Sequence, residues 1–348
     1  MAYEATALPL SYAGKNIFIA GLGFAPRSRG YGPREVTTPL PRNLILLNLK
    51  MKIKRDKILK IMKNCCIFTS FSQHFVEKLK KDFKIIIPPL NREGKRYFPD
   101  GEVYVRLPTD ELKGKKVFIL HSGMPRPNDG LIELELILQI LKENKIEPEI
   151  FFTYFPYQRQ DKIFEKGETN VAENLVKKLI EFYKVKKIYV IDAHFSKKEW
   201  TKKYPLLNLS AIPHLMERAK KDFGKEILFL APDIGSQKRF EIFGFEKKRI
   251  NSFSVKLKLS QKIKKLVKGK IVALVDDLLS TGTTLIKAKK EIEKLNPKLI
   301  ICIFTHCLFE EGFKKIEKEF KKIYFTNTIY HPNLSSIDIS FLIKKSLK

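Results

Sequence analysis

The chain alternates short, almost uninterrupted apolar runs with longer amphipathic stretches. Runs at residues 65–68, 117–121, 150–154 and 188–192 have strand length, and residues 71–81, 131–144 and 171–183 between them carry a helical pattern. The scheme repeats further on, with strands predicted near 227–231, 271–275 and 299–305 and helices near 212–223 and 284–295. Strands that read as continuous apolar runs are covered on both faces, and strand–helix alternation is the pattern of parallel sheets flanked by helices. The predicted fold is therefore α/β, with two related domains spanning 64–205 and 206–348, each built on a mostly parallel sheet. Ligands should collect at the carboxyl ends of the strands, in the cleft between the domains.

Residues 1–50 stand apart from this pattern. Their basic residues are mostly arginine (Arg27, Arg29, Arg34 and Arg42), whereas lysine dominates elsewhere, and glycine and proline are frequent. Gly21-Leu22-Gly23 is too short to act as a dinucleotide fingerprint, and no basic segment followed by an unbroken apolar core marks a signal peptide. The expectation is an extension that is disordered or lies upstream of the native start, with Met51 as that start and the preceding residues dispensable.

A length of 348 residues suffices for two cores, and a hydrophobic content of 44% fits a soluble globular protein. The four cysteines (Cys65, Cys66, Cys302 and Cys307) lack zinc-ligand spacing and form no disulfide framework, which points to a reducing cytoplasm. No apolar run is long enough to span a membrane. The formal charge of +29 would attract polyanions. It also raises a nucleic-acid-binding protein as an alternative, although no nucleic-acid motif accompanies it and the lysines fall on solvated helix faces.

Residues 270–284 carry the densest chemistry. Apolar residues run into Asp276 and Asp277, a hydroxyl-rich loop follows (Ser280, Thr281, Gly282, Thr283 and Thr284), and a helical pattern begins. A helix N-terminus offers free N–H groups and a favourable dipole to an anion, and glycine lets the backbone approach a phosphate. Adjacent carboxylates can accept from sugar hydroxyls, so the arrangement suits a phosphorylated pentose. Three further segments stand out. Pro99-Asp100-Gly101 reads as a turn entering an alternating strand, where Phe98 can stack on a base and Asp100 and Glu102 can accept from an amine, or as a hairpin with solvated acids. The strand at 150–154 runs into Pro156, and Arg159, Gln160, Asp161 and Lys162 follow it. Asp192-Ala193-His194 ends another strand, and Pro232-Asp233-Ile234-Gly235-Ser236 follows a third.

These segments occur together in one order, and that order resembles the ribose-phosphate pyrophosphokinases (PRPP synthetases) from about Cys65 onward, in their archaeal-like form. Phosphoribosyltransferases share the 275–284 loop but lack the 98–102 and 159–162 segments. The resemblance implies two phosphoribosyltransferase-like domains, the first on the ATP side and the second carrying the ribose 5-phosphate loop. It implies diphosphoryl transfer from ATP to ribose 5-phosphate. ATP would meet Phe98, Asp100 and Glu102, the first segment commonly reaching across a subunit interface in an oligomer of at least two chains. ATP would also meet Arg159, Gln160, Asp161 and His194. Ribose 5-phosphate would meet Asp276, Asp277 and Ser280 to Thr284. Mg²⁺ would be held by His194 and Asp233, and Arg159, Lys256 and Lys258 would be catalytic. No membrane and no specific nucleic acid would be partners.

Three residues depart from the family's pattern. Thr283 takes the place of a second glycine, which would be costly if that position needed positive φ. Ser236 stands where glycine or alanine is frequent. Lys258 replaces an arginine and loses its planar fork. Together they motivate a second alternative, a catalytically silent regulatory subunit.

Overall fold

The computed structural model describes residues 50–51, 64–251 and 254–347, and of these describes 246–251 and 254–258 by backbone alone. The chain separates into a unit at Met1–Met51 and a unit at Lys52–Lys348. The expectation for residues 1–50 therefore lies almost wholly outside the described residues, which contain only the helical pair 50–51 of that unit.

The first sheet holds β1 (Asn64–Phe68), β2 (Lys84–Ile86), β3 (Lys116–Ser122), β4 (Glu149–Tyr154), β5 (Lys187–Ile191) and β6 (Leu206–Leu209). All pairs are parallel and the order is β2-β1-β3-β4-β5-β6. Helices α1 (Pro127–Glu143), α2 (Val171–Lys177) and α3 (Ile212–Phe223) lie along the same stretch of chain. After β7 (Ile227–Leu230) and α4 (Ile234–Phe240) comes an antiparallel hairpin of β8 (Glu246–Asn251) and β9 (Ser254–Lys258), then α5 (Gln261–Val267). The second sheet joins β10 (Ile271–Leu279), β11 (Leu299–Cys307) and β12 (Ile323–Tyr324) to β7, all parallel, in the order β12-β11-β10-β7. Helices α6 (Thr283–Glu293), α7 (Glu310–Glu317) and α8 (Ser340–Leu347) complete the chain. No helix among the described residues is long and apolar enough to cross a membrane.

Alternation along each strand sends neighbours to opposite faces, and both faces are packed. On the first sheet, Ile67, Ile119, Phe152 and Val190 join one core while Phe68, Leu120, Phe151 and Ile191 join another. On the second, Val272, Leu274 and Phe304 pack with α6 and α7, while Ala273, Val275 and Ile303 pack with α3.

The structure departs from the sequence pattern in four places. The helix expected over 71–81 is a 3₁₀ segment (Ser70–Phe75) followed by one α-turn (Val76–Leu79). Thr69 and Ser72 hydroxyls bond the Leu120 carbonyl, and such side-chain bonds compete with a regular helix. The helix expected over 171–183 stops at Lys177 and continues as a π-turn, Lys178–Phe182. No strand forms over 97–106: the turn is there, with Gly101 N–H donating to Phe98 O, but pairing is limited to a single Tyr97–Val103 bridge with no further strand to extend it. Finally, β6 pairs with β5, and Ile339, Ile343 and Leu347 pack into the first sheet's core beside Phe68 and Phe75. Parts of the stretch assigned to 206–348 thus serve the first sheet.

His121 on β3 is fully buried; its Nδ1 lies 3.1 Å from Thr69 Oγ1 and its Nε2 has no hydrogen-bond partner. Burial pushes its pKa down to about 3, and that of buried His306 to about 4. A histidine whose folded pKa lies below its unfolded value of about 6.5 gives stability that is full above that value and is lost as pH falls toward the folded pKa. The slope in that window is about 1.4 kcal/mol per pH unit per histidine. His121→Leu is therefore expected to reduce the stability lost per pH unit between pH 6 and about pH 4.5 by about 1.4 kcal/mol. Urea unfolding at several pH values checks it; an unchanged slope would mean His121 titrates normally.

Candidate active site

The second sheet brings the hydroxyl loop into place. β10 does not end before the acidic pair: its ladder with β11 continues through Asp276↔Phe304 and Leu278↔His306. Ser280 and Thr281 then lead to Gly282, which caps α6 at φ +76°. A Cβ on Gly282 would stand 2.6 Å from Ile316 Cγ2, so both conformation and space require glycine there. Thr283 opens α6 and is absent from the positive-φ positions, so threonine in place of the family's second glycine costs the backbone nothing. The loop is clamped from behind by α7, where a Cβ on Gly312 would stand 1.8 Å from Ser280 O.

A cleft of about 340 Å³ opens on this loop, lined by Ser280 to Thr284, Asp276, Asp277, Arg159, His194, Asp233 and Arg239. A second cleft of about 560 Å³ adjoins it and shares Arg159, His194, Asp233 and Arg239; Asp161, Lys162, Phe164, Lys197, Lys198 and Lys238 line the rest. The turn that presents His194 is fixed through its backbone: Ala193 N–H donates to Asn208 Oδ1 (2.8 Å) and His194 N–H to Gln158 Oε1 (2.9 Å). Asp233 caps α4 by accepting from Ser236 N–H.

Asp277 lines the first cleft and contacts two of the residues that both clefts share. One oxygen is 2.7 Å from His194 Nδ1 and the other accepts from the Arg239 guanidinium at 2.8 Å. Burial pushes its pKa up, but the His194 hydrogen bond and the Arg239 charge outweigh burial and hold it below the ordinary range. Asp276 behaves oppositely. Burial and the charge on Asp277 raise it well above the ordinary range, although Ser236 Oγ–H (2.5 Å) and the backbone N–H of Asp277 (2.9 Å) bond its oxygen. Within the adjacent pair, negative charge is therefore favoured on Asp277 over Asp276. Ser236 also accepts from Arg239 at 3.0 Å, so the hydroxyl that departs from the family's glycine ties the acid and the base together.

The other predicted residues divide as follows. Asp161 is buried and paired with Lys198 at 3.3 Å. Gln160 is exposed and is not among the residues lining either cleft. Phe98, Asp100 and Glu102 form an exposed hairpin that lines neither cleft; Phe98 packs edge-on against Tyr104 and Asp100 accepts from Glu102 N–H. Lys256 and Lys258 are on β9, register partners of Lys248 and Glu246, and their side chains lie outside the described residues. The sequence reading missed Arg239, Lys197, Lys198 and Lys238. Arg239 was accessible in principle, because in a helix it shares a face with Ser236 three residues earlier.

No group of three or more histidine, cysteine or carboxylate side chains that could hold a metal occurs among the described residues. Two potential ligands, His194 and Asp233, do line both clefts. The Asp233 carboxylate fits Mg²⁺, which usually takes one or two carboxylates and fills its other positions with phosphate oxygens and water, whereas His194 offers a nitrogen, with Nδ1 engaged by Asp277.

Two family models match the chain: the N-terminal domain of ribose phosphate pyrophosphokinase over residues 67–183 and the phosphoribosyl transferase domain over 214–338. The chain is 32% identical over 280 residues to the ribose-phosphate pyrophosphokinase of Pyrococcus abyssi, covering 77% of this chain and 93% of that one. It is 34% identical over 272 residues to that of Pyrococcus furiosus, covering 75% and 94%. The crystal structure of phosphoribosylpyrophosphate synthetase from Mycobacterium smegmatis superposes with a TM-score of 0.68 at 20% identity, covering 82% of this chain and 97% of that one, a likeness of fold.

Proposed function

The chain belongs to the ribose-phosphate pyrophosphokinase family, and on that premise we propose that its two adjoining clefts hold the two substrates of one reaction. An enzyme of this type transfers the diphosphoryl group of ATP to the C1 hydroxyl of ribose 5-phosphate, giving PRPP and AMP. The observation that carries the assignment of clefts is the contact between His194, which lines both, and Asp277 of the first, 2.7 Å apart.

In this reading Ser280 to Thr284 hold the 5-phosphate, through hydroxyls and the free N–H groups at the start of α6. Asp277 takes the ribose hydroxyls, and Asp276, bonded by Ser236, supports it. Arg159, Lys162 and the lysines of the second cleft bind the polyphosphate, where positioning and electrostatic stabilisation do most of the catalysis. His194 and Asp233 would hold Mg²⁺, which when bound neutralises polyphosphate charge. Lys256 acts beside Arg159 on the charge that develops during transfer, with Lys258 assisting. Phe98, Asp100 and Glu102 serve the adenine of a neighbouring subunit, so the working unit is at least a dimer. Free thiols and ATP chemistry suit the cytoplasm.

The test is AMP and PRPP formation from ATP and ribose 5-phosphate with Mg²⁺. Turnover of both substrates in equal amounts is expected. ATP binding without AMP formation would favour the silent regulatory subunit. Salt-dependent binding of random duplex without turnover would favour the nucleic-acid reading.

A further inference from the structure

Thr305 and His306, near the end of β11, face the end of β5 on the other sheet. Thr305 Oγ1 donates to Asp192 Oδ2 at 2.5 Å, and His306 Nε2 lies 3.0 Å from the Ile191 carbonyl. A carbonyl only accepts, so Nε2 carries the proton and Nδ1 accepts from Thr328 Oγ1 at 2.9 Å. The remaining Asp192 contacts come from Ser210 Oγ–H (2.5 Å) and Ala211 N–H (2.9 Å). Asp192, Thr305 and His306 are all buried. Asp192 holds φ +38°, a conformation costly for a residue with a side chain unless its surroundings impose it. With their partners supplied inside the protein, these groups form a joint between the sheets and leave no opening for a ligand.

The joint lies next to the proposed reaction centre on both sides. Asp192 is two residues before His194. His306 is the register partner of Leu278, the residue after Asp277. We propose that Asp192, Thr305 and His306 are positioning residues: they fix the end of β5 to β11 and thereby hold the ATP side of the site in line with the ribose side. This rests on the reading of the clefts given above.

The 5-phosphate loop follows the second sheet, and Lys162, Lys197 and Lys198 of the polyphosphate cleft follow strands of the first, so loosening the joint should disturb each binding step less than it misaligns the reacting atoms. Misplacement by an ångström can cost on the order of 10²-fold in rate. In the full chain, Thr305→Val is expected to lower kcat by about tenfold or more, with both KM values within about threefold of wild type. Thr305→Ser, which restores the hydroxyl, should recover kcat to within about twofold of wild type. A Thr305→Val enzyme with reduced melting temperature and unchanged kcat would overturn the proposal, as would a change confined to one KM. If Thr305→Val does not fold, His306→Gln, which keeps an N–H for the Ile191 carbonyl but loses the contact to Thr328, carries the same test. A wild-type chain that formed no AMP would instead overturn the assignment of function, so the two failures are distinct.

Discussion

Asp277→Ala is expected to lower kcat/KM for ribose 5-phosphate by about 10³-fold while costing the fold only about 1–2 kcal/mol, the cost of lost hydrogen bonds to a charged group. The small stability loss is the less obvious half. Removing one partner of a buried ion pair ordinarily costs about 3–5 kcal/mol, because the surviving charge is stranded. Here Arg239 has a substitute, since Asp276 lies 3.6 Å from it. Burial, and then the charge on Asp277, disfavour the ionised form of Asp276. Once that charge is gone, the ionised form of Asp276 is less disfavoured and can balance Arg239. The ribose site has no such replacement, because Asp276 is already bonded by Ser236. Calorimetric unfolding and initial rates of the same preparation measure both halves. A fully active variant would remove Asp277 from the sugar site, and a loss of several kcal/mol would mean that Asp276 does not take over.

Gly312→Ala is expected to cut ribose 5-phosphate use by about 10²-fold or more through misplacement of the phosphate loop. Helix propensity alone predicts the reverse sign, a gain of about 1 kcal/mol for alanine inside a helix such as α7. Packing decides against it. The new Cβ would lie 1.8 Å from Ser280 O, whereas real Cβ contacts stay above 3.0 Å. Either α7 or the loop must move. Phe313 and Ile316 anchor α7 in the core, so the loop gives way, and overpacking of this kind costs about 1–3 kcal/mol. Affinity for an ATP analogue, measured by calorimetry, should change little. A variant that is more stable and equally active would show that the helix shifts freely.

The parallel sheets were legible because their strands are covered on both faces and therefore read as apolar runs. The phosphate loop was legible because its chemistry is contiguous between Asp276 and Thr284. Arg239 was not, because its value comes from contact with Asp277, 38 residues away in sequence. The strand predicted after Gly101 failed for a related reason: alternation supplies a face, and among the described residues no partner strand uses it. The segment at 70–79 misled through Thr69 and Ser72, whose hydroxyls turn to β3. Thr283 could be judged only once its φ was visible, and it proved an ordinary first residue of a helix.

The packing of α8 bears on how the molecule is made. Phe68 and Phe75, near the start of the described fold, share a core with Ile343 and Leu347. During synthesis Phe75, Leu79 and Phe83 can cover part of that face early, and the part under α8 stays open until Leu347 has left the ribosome. The half-finished chain must therefore wait with apolar surface showing, a state open to chaperones and to aggregation. The early half of this polypeptide thus depends on its late residues for completion, and cutting between the sheets would not yield two self-sufficient pieces.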